Sequence, residues 1–312
     1  MLHANAKGIQ IRPTHASRAL LLSCFAAGLG AQELQPRAYL PTPVGVNFFG
    51  VSYANNRGDL LFDPSLPVED SHVNANIVTL AFGQTLGVLG RTAQVLVIVP
   101  YVRANLDGLV SGSRERAYRS GLGDATFRYG MNLYGAPAMS LKEFGDYRQK
   151  TVVGVSVTVT APTGQYDPVR LINVGTNRWA VKPEIGVSRA LGKWTLEGAA
   201  GVWLFTPNNL FNGTMVRTQV PLGSLQAHAV RVLPHRTWLA LDWTLYTGGR
   251  SSVSGKENFD YLGNQRLGAT LGIILNRRQS IKISYFRGAV TRVGGDVSSI
   301  GVSYNVIWLT GR

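Results

Sequence analysis

Proton-transfer chemistry would have to come from three histidines, His72, His228 and His235, because the other two lie within the first fifteen residues. A lipid-hydrolysing membrane enzyme needs a histidine beside a serine nucleophile, typically spaced as His-x-Ser. None of the three has that spacing, and Ser71 would face the opposite side of a strand from His72. His235 follows Pro234 in a segment typical of a solvated turn. The sequence therefore predicts no catalytic site and a protein that is not an enzyme.

Metal and cofactor chemistry find no better support in the sequence. No His/Asp/Glu cluster has the spacing of a zinc site, and Glu69 with Asp70 is typical of a solvated loop pair. Cys24 is the single cysteine, which excludes disulfides and thiolate clusters. Residues 248–252 (GGRSS) lack the lysine and the strand-to-helix setting of a phosphate loop. We expect no metal and no cofactor.

The formal net charge is +14, yet the basic residues are scattered rather than clustered with aromatic residues. This distribution argues against nucleic acid as a partner. Two interpretations of the basic excess stay open. It could attract anionic lipid head groups, or it could give a pore a mild preference for anions.

The remaining candidates are polar residues at alternate positions of apolar segments. Lys182 and Glu184 share one face of such a segment, and so do Asp124 and Arg128. We predict that these polar faces line a hydrated lumen and bind a small solute, although the charges could instead satisfy one another inside a narrow barrel. The predicted lumen residues are Asp124, Arg128, Asn132, Lys182, Glu184, Glu197, Asp242, Arg266 and Lys282.

Period-two alternation is the pattern that positions these residues, and it predicts an all-β chain. Segments near ten residues match the span of a tilted transmembrane strand. Their number is about twelve, an even count that is typical of a bacterial membrane barrel. The predicted strands are 44–55, 73–86, 91–104, 123–134, 151–162, 180–191, 194–205, 219–232, 237–247, 265–275, 279–287 and 296–308.

The connections between these strands alternate in length. Long segments, including 56–72, 105–122 and 163–179, follow odd strands, whereas tight turns such as 192–193 follow most even strands. Long outer loops and short inner turns indicate an antiparallel up-and-down barrel with both termini at the inner side. Residues 135–150 break the pattern, and we expect a short helix or a plug-like excursion there.

One long loop, residues 171–179, carries few charges but several hydrogen-bonding groups between apolar residues. We predict that it folds inward as a constriction through Asn173, Thr176, Asn177 and Arg178.

Composition favours a membrane barrel over a soluble β-protein. Charged residues make up 15% of the chain, well under the roughly 25% of an ordinary soluble domain. No stretch reaches the ~18 consecutive apolar residues of a membrane-spanning helix. Aromatic residues near strand ends would form interfacial girdles, namely Tyr101, Trp203, Trp243, Tyr246, Tyr285 and Trp308.

The first residues predict an export signal. Lys7, Arg12 and Arg18 form a basic start without acids, residues 19–29 are an apolar core, and Gly30 with Ala31 offers small residues for cleavage. We expect residues 1–31 to be a signal peptide and residues 32–312 to be one barrel domain. Residues 21–24 also resemble a lipobox, but the apolar run continues beyond Cys24, which disfavours lipidation.

Three stretches of the chain resemble the family of outer-membrane transporters named for the meta-pathway of phenol degradation. They are residues 121–144 (GLGDATFRYGMNLYGAPAMSLKEF), 161–209 (APTGQYDPVRLINVGTNRWAVKPEIGVSRALGKWTLEGAAGVWLFTPNN) and 292–296 (RVGGD). The resemblance implies a barrel and suggests uptake of aromatic or other small hydrophobic compounds.

These observations predict a narrow outer-membrane channel of a Gram-negative-type bacterium that passes small solutes by diffusion. The alternative is a structural or partner-binding barrel with a blocked lumen. Expected partners are a small-molecule solute, outer-membrane lipid and lipopolysaccharide, and the barrel-assembly machinery. The alternation at Tyr304, Val306 and Trp308 resembles the signals that this machinery recognises.

Overall fold

The computed structural model describes residues 36–61, 68–110, 112–170 and 172–310. The predicted signal peptide, residues 1–31, lies outside these ranges. Within them the chain is mostly β-structure, with one short helix, α1 (Leu141–Asp146). The strands are β1 (Val46–Leu61), β2 (Val68–Val88), β3 (Arg91–Val110), β4 (Ser113–Leu122), β5 (Thr126–Tyr134), β6 (Thr151–Thr160), β7 (Ala180–Leu191), β8 (Trp194–Phe205), β9 (Asn208–Phe211), β10 (Met215–Gln219), β11 (Leu222–Leu233), β12 (Thr237–Gly248), β13 (Ser251–Val253), β14 (Lys256–Glu257), β15 (Leu262–Ile274), β16 (Gln279–Val290) and β17 (Gly294–Leu309).

The main sheet closes on itself as an antiparallel barrel. β1 pairs with β2 on one side and with β17 on the other, and β2 pairs with β3. β4 and β5 both pair with β3 and act as one strand interrupted at residues 123–125. The barrel therefore has twelve strands, which confirms the prediction. β9, β10, β13 and β14 form a second, small sheet in the long connections.

The predicted strands agree with the structure, but two predicted outer loops were wrong. Most of 56–72 and 105–122 continues the β1–β2 and β3–β4 hairpins beyond the membrane-length span. In this extension of β3 the outward face becomes polar, with Arg103, Asn105 and Asp107, while the inward residues Val102, Ala104 and Leu106 are buried. A strand in lipid exposes apolar residues, whereas a strand in water hides them.

The outer surface carries an apolar belt formed by the other residues of each alternation. Leu80, Ile185, Leu241 and Val302 are each more than 40% exposed, as expected for side chains that contact lipid. Of the predicted girdle residues, Tyr101, Tyr285 and Trp308 face outward. Trp203 and Tyr246 were assigned wrongly, because they pair in register with the buried, inward-facing Leu222 and Ser224. The register places them in the lumen.

The end with short turns also holds residues 135–150, where the expected short helix is found. Helix α1 begins with a capping box, in which the Ser140 hydroxyl accepts from the backbone N–H of Glu143 and the Glu143 carboxylate accepts from the Ser140 N–H. No helix in the described ranges has the length and hydrophobicity needed to cross a membrane.

Candidate functional site

The lumen has two walls of different character. Inward positions of β1 and β3 are largely apolar, including Phe48, Leu96, Ile98 and Pro100. In the order of strands around the barrel, β8, β11 and β12 lie opposite these strands. Their inward positions include the polar residues Glu197, Ser224, Gln226, His228 and Asp242. The lumen is therefore amphipathic across its diameter.

A row of hydrogen-bonded polar side chains crosses the polar wall. Ser188, Glu197, His228 and Asp242 occupy consecutive strands in register. Ser188 Oγ donates to Glu197 Oε1 at 3.1 Å, and His228 Nδ1 lies 2.6 Å from Asp242 Oδ1. The second oxygen of Asp242 accepts from the Thr270 hydroxyl at 2.8 Å. Each acid thus has a partner, as burial demands.

Lys182 and Glu184 form a buried ion pair nearer the outer end. Lys182 Nζ lies 2.9 Å from Glu184 Oε2, and the two side chains are 4% and 0% exposed. The ammonium also lies 5.3 Å from the centre of the Trp203 ring. The sequence placed these charges on one face of a strand, and the structure brings them into contact.

Residues 36–45, which we name the inner strap, enter the lumen at the short-turn end. Tyr39 is buried, and its hydroxyl donates to Glu184 Oε1 at 2.9 Å. Burial raises the pKa of Tyr39 to about 12, so the phenol keeps its proton. Its ring lies against Gly154 and Gly186, where a Cβ atom would overlap ring carbons. The inner strap precedes β1 and reaches β6 and β7, four and five strands away around the barrel, so it crosses the lumen.

Two arginines fix the inner strap further. The backbone N–H of Arg37 donates to Glu197 Oε2 at 2.6 Å, and its guanidinium lies 5.3 Å from the Trp238 ring centre. The Arg128 guanidinium lies 5.4 Å from the Tyr39 ring centre. Such cation–π contacts gain strength when they are shielded from water.

Residues 161–170 and 172–179, which we name the outer strap, cross the opposite end. Ile172 is 5% exposed and belongs to an apolar cluster inside the extended part of the barrel. Arg119 holds it there, because its Nε donates to the Ile172 carbonyl oxygen at 2.6 Å. The cluster consists of Val73, Ala75, Ile77, Val102, Ala104, Leu106, Ile172 and Val297, with Leu60, Ala117 and Val174 at its edge.

Asp124 anchors the outer strap at the break between β4 and β5. Its Oδ1 accepts from the Gly164 N–H at 2.9 Å. Its Oδ2 accepts from the N–H and the hydroxyl of Thr176, at 2.8 and 2.6 Å. The structure therefore joins a predicted lumen residue to a predicted constriction residue, and it does not pair Asp124 with Arg128.

The other predicted loop residues have different partners. Asn173 bonds to the backbone of Asp167 and Arg170, so it shapes the strap itself. Asn177 donates to Asn208 Oδ1 at 2.9 Å.

Arg178 is buried under Phe205, 4.3 Å from the ring centre, and its Nη2 donates to Gln219 Oε1 at 2.6 Å. Burial, followed by the charge of Arg217, lowers the pKa of Arg178 to about 9.

The remaining predicted lumen residues are spread around the barrel. Asn132 is buried in register with Gly154. Arg266 pairs in register with Thr244, on the inward face of β15. Lys282 lies on the inward face of β16 between Gly272 and Ser303. No group of three or more His, Cys, Asp or Glu side chains in the described residues is arranged to hold a metal ion.

Sequence reasoning missed Tyr39, Trp238 and His228. The signal for His228 was present, because His228 and Asp242 are equally distant from His235 in the β11–β12 turn. Hairpin pairing alone would therefore have joined them. Tyr39 precedes the first strand and had no periodic pattern to place it.

A family model described as "Putative MetA-pathway of phenol degradation" matches residues 63–223, more than half of the chain. The chain belongs to this family. The matched part includes the outer strap, Asp124, Arg128 and the Lys182–Glu184 pair, and the predicted resemblance is confirmed. A comparison with curated proteins gives no match.

Solved structures extend the comparison to the fold of this family member. An outer membrane channel from Pseudomonas putida is 21% identical, with a TM-score of 0.76 over 88% of this chain and 100% of that one. The β domain of the Bordetella autotransporter BrkA is 14% identical, with a TM-score of 0.51 over 85% of this chain and 100% of that one. The transport unit of the Escherichia coli autotransporter AIDA-I is 9% identical, with a TM-score of 0.51 over 96% and 100%. The fold is that of an outer-membrane β-barrel.

Proposed function

We propose that this family member is an outer-membrane channel through which small solutes pass by diffusion. The observation that carries the proposal is the amphipathic lumen between the two straps. Apolar side chains of β1 and β3 face a wall of β8, β11 and β12 that contains Glu197, His228 and Asp242. A wholly polar lumen would suit sugars or salts, whereas two unlike walls suit solutes with an apolar body and a polar substituent.

We infer that aromatic or other small hydrophobic compounds are the preferred solutes. A ring can pack against Leu96 and Ile98 while its hydroxyl or carboxylate faces the polar wall. The family description, which refers to phenol degradation, supports the same class. The solved Pseudomonas putida protein, with the same fold, is itself described as an outer membrane channel. We expect no catalytic role, no cofactor and no energy coupling.

Partners of the barrel follow from its setting. We infer contact with outer-membrane lipid and lipopolysaccharide at the apolar belt, and delivery by the barrel-assembly machinery through β17.

The decisive experiment reconstitutes the protein in liposomes and compares uptake of phenol, benzoate and a sugar of similar mass. After the rates in protein-free liposomes, which phenol crosses unaided, are subtracted, we expect the two aromatic solutes to enter faster than the sugar. Equal rates for all three would contradict the solute class while leaving a channel intact. Rates equal to protein-free liposomes for every solute would contradict the channel itself.

A blocked barrel that binds a partner through its external loops is the second candidate. The specific observation in its favour is that straps cross both mouths, through Tyr39 at one end and Ile172 at the other. Planar-bilayer recordings separate the two functions, because a blocked barrel conducts no current even at high salt.

A further inference from the structure

The outward face of β1–β4 changes character abruptly just beyond the apolar belt. The register places Tyr53, Val78, Tyr101 and Leu122 in one row across the four strands, and each is between 41% and 50% exposed. The next two rows toward the outer end are polar. They contain Asn55, Asn76, Arg103 and Ser120, and then Arg57, Asn74, Asn105 and Tyr118. We name these eight residues the asparagine–arginine patch.

The amides of the patch form a connected hydrogen-bond network. Asn55 Nδ2 donates to Asn74 Oδ1 at 2.9 Å and to Asn76 Oδ1 at 3.0 Å. The Tyr53 hydroxyl, at the edge of the belt, donates to Asn76 Oδ1 at 2.6 Å. This network orders the side chains on an exposed surface, where isolated asparagines would be mobile.

The charges of the patch are all positive. Arg57 and Arg103 are exposed, and neither polar row contains an acid. Arg103 also interacts with the Tyr118 hydroxyl. This contact uses only part of the five N–H donors of the Arg103 guanidinium. Acids appear one row further out, where Asp59 is bonded to His72 and Asp107 to Arg114, each at 2.6 Å.

We propose that the asparagine–arginine patch binds the phosphorylated disaccharide head group of lipopolysaccharide in the outer leaflet. The position beside the belt puts acyl chains against Tyr53 and Tyr101 and a head group against the polar rows. Guanidinium groups bind phosphate through paired hydrogen bonds, and amides suit sugar hydroxyls. Four strands separated by 4.7–4.9 Å span about 14 Å, enough for more than one sugar ring. The proposal rests on the membrane setting and is independent of the channel function.

Native mass spectrometry of the full chain in detergent, titrated with bis-phosphorylated lipid A, tests the site. The variant R57A/R103A should lose roughly 25-fold in apparent affinity, since each arginine beside an anionic lipid surface contributes about fivefold. R277A/R278A, which removes the same charge from an exposed turn at the other end, is the matched control and should bind as wild type. R57K/R103K should recover part of the loss. The gel shift between unheated and boiled samples verifies that each variant is folded.

Three results would overturn the assignment. Affinity could be unchanged in R57A/R103A, or it could fall equally in R277A/R278A, which would mean unspecific attraction. Dephosphorylated lipid A could bind as tightly as the bis-phosphorylated form, which would exclude phosphate recognition. N76A, expected to weaken both lipid forms alike by removing the centre of the amide network, tests the sugar contact separately.

Discussion

The two straps cross one barrel at opposite ends, and they are held by different chemistry. The outer strap runs between β6 and β7 and inserts Ile172 into an apolar cluster, with Asp124 binding its backbone. The inner strap leads into β1 and depends on Tyr39, whose hydroxyl reaches Glu184. Apolar packing tolerates small displacements, whereas a buried hydrogen bond to a charge depends on distance and alignment. We therefore expect the outer strap to be displaced gradually and the inner strap to be displaced in a single step.

The difference follows from where each strap lies. The outer strap sits in the extended part of the barrel, where water surrounds the wall and the interior can be apolar. The inner strap lies against the polar wall inside the belt, where every buried acid needs a partner. Arg37 and Tyr39 supply hydrogen bonds to Glu197 and Glu184. The same segment thus obstructs the lumen and satisfies its charges.

Removing the outer strap should have the largest effect on permeation. Deletion of residues 172–178 takes away Ile172 and the Thr176 contact to Asp124, so single-channel conductance should rise several-fold. The measurement is a planar-bilayer recording at fixed salt. Unchanged conductance and unchanged solute uptake would mean that this segment is not the constriction.

Displacing the inner strap should have the next largest effect. Gly186→Ala adds a methyl group where the Tyr39 ring lies, so the strap must leave and conductance should rise in one step. Gly198→Ala, whose added methyl would make ordinary contacts, is the matched control. If the conductance of Gly186→Ala equals that of the control, the lumen tolerates the strap and the proposed obstruction is wrong.

Asp124→Ala should loosen the outer strap without removing it. The substitution leaves the N–H groups of Gly164 and Thr176 without their acceptor, at a cost of about 2 kcal/mol for ordering this segment. Hydrogen exchange of those two amides should accelerate. Thr176→Val keeps the backbone hydrogen bond to Asp124, so exchange should accelerate less in this variant. Equal acceleration in both variants would mean that Asp124 does not anchor the outer strap.

A smaller difference between the two ends of the barrel is expected in charge selectivity. Arg37 belongs to the inner strap and Arg128 stacks on its Tyr39, and the basic excess of the chain adds to the field of these two cations. We expect a mild anion preference from reversal potentials at low salt, reduced in Arg128→Gln. A cation preference in the wild-type protein would show that net charge does not govern this lumen.

The smallest expected effect is a pH response confined to the outer end. Hydrogen bonding to Asp59, and then to Asp70, raises the pKa of the exposed His72. The protonated form therefore stabilises the β1–β2 hairpin below the unfolded-state pKa of about 6.5, and this contribution is lost as pH rises through the higher folded-state pKa.

Hydrogen-exchange protection in this hairpin, corrected for the base-catalysed rise of intrinsic exchange, should thus fall as the pH rises above about 6.5, and His72→Gln should abolish this fall. The inner strap should not respond, because the pKa of Tyr39 is about 12. A pH response of the hairpin that persists in His72→Gln would assign it to another group.

Much of the barrel could be predicted because each strand carries its own signal. Alternation in β6, β7, β12 and β17 identified strands, and the Lys182–Glu184 contact followed from two positions on one face. The hairpin extensions could not be found with the same rule, since the outward face of β3 changes from apolar to polar when the surroundings change from lipid to water. The lumen partners of Asp124 and Arg128 were missed because neither is a cross-strand neighbour.

The sequence by itself determined the strands, their order and the apolar belt, because these depend on residues two apart and on neighbouring hairpins. Only the tertiary structure decided what fills the lumen. Tyr39 meets Glu184 and Ile172 meets Val102 across the barrel, between segments far apart in the chain. Such contacts arise only after barrel closure brings opposite walls together, so the local alternation of residues along the sequence does not predict them.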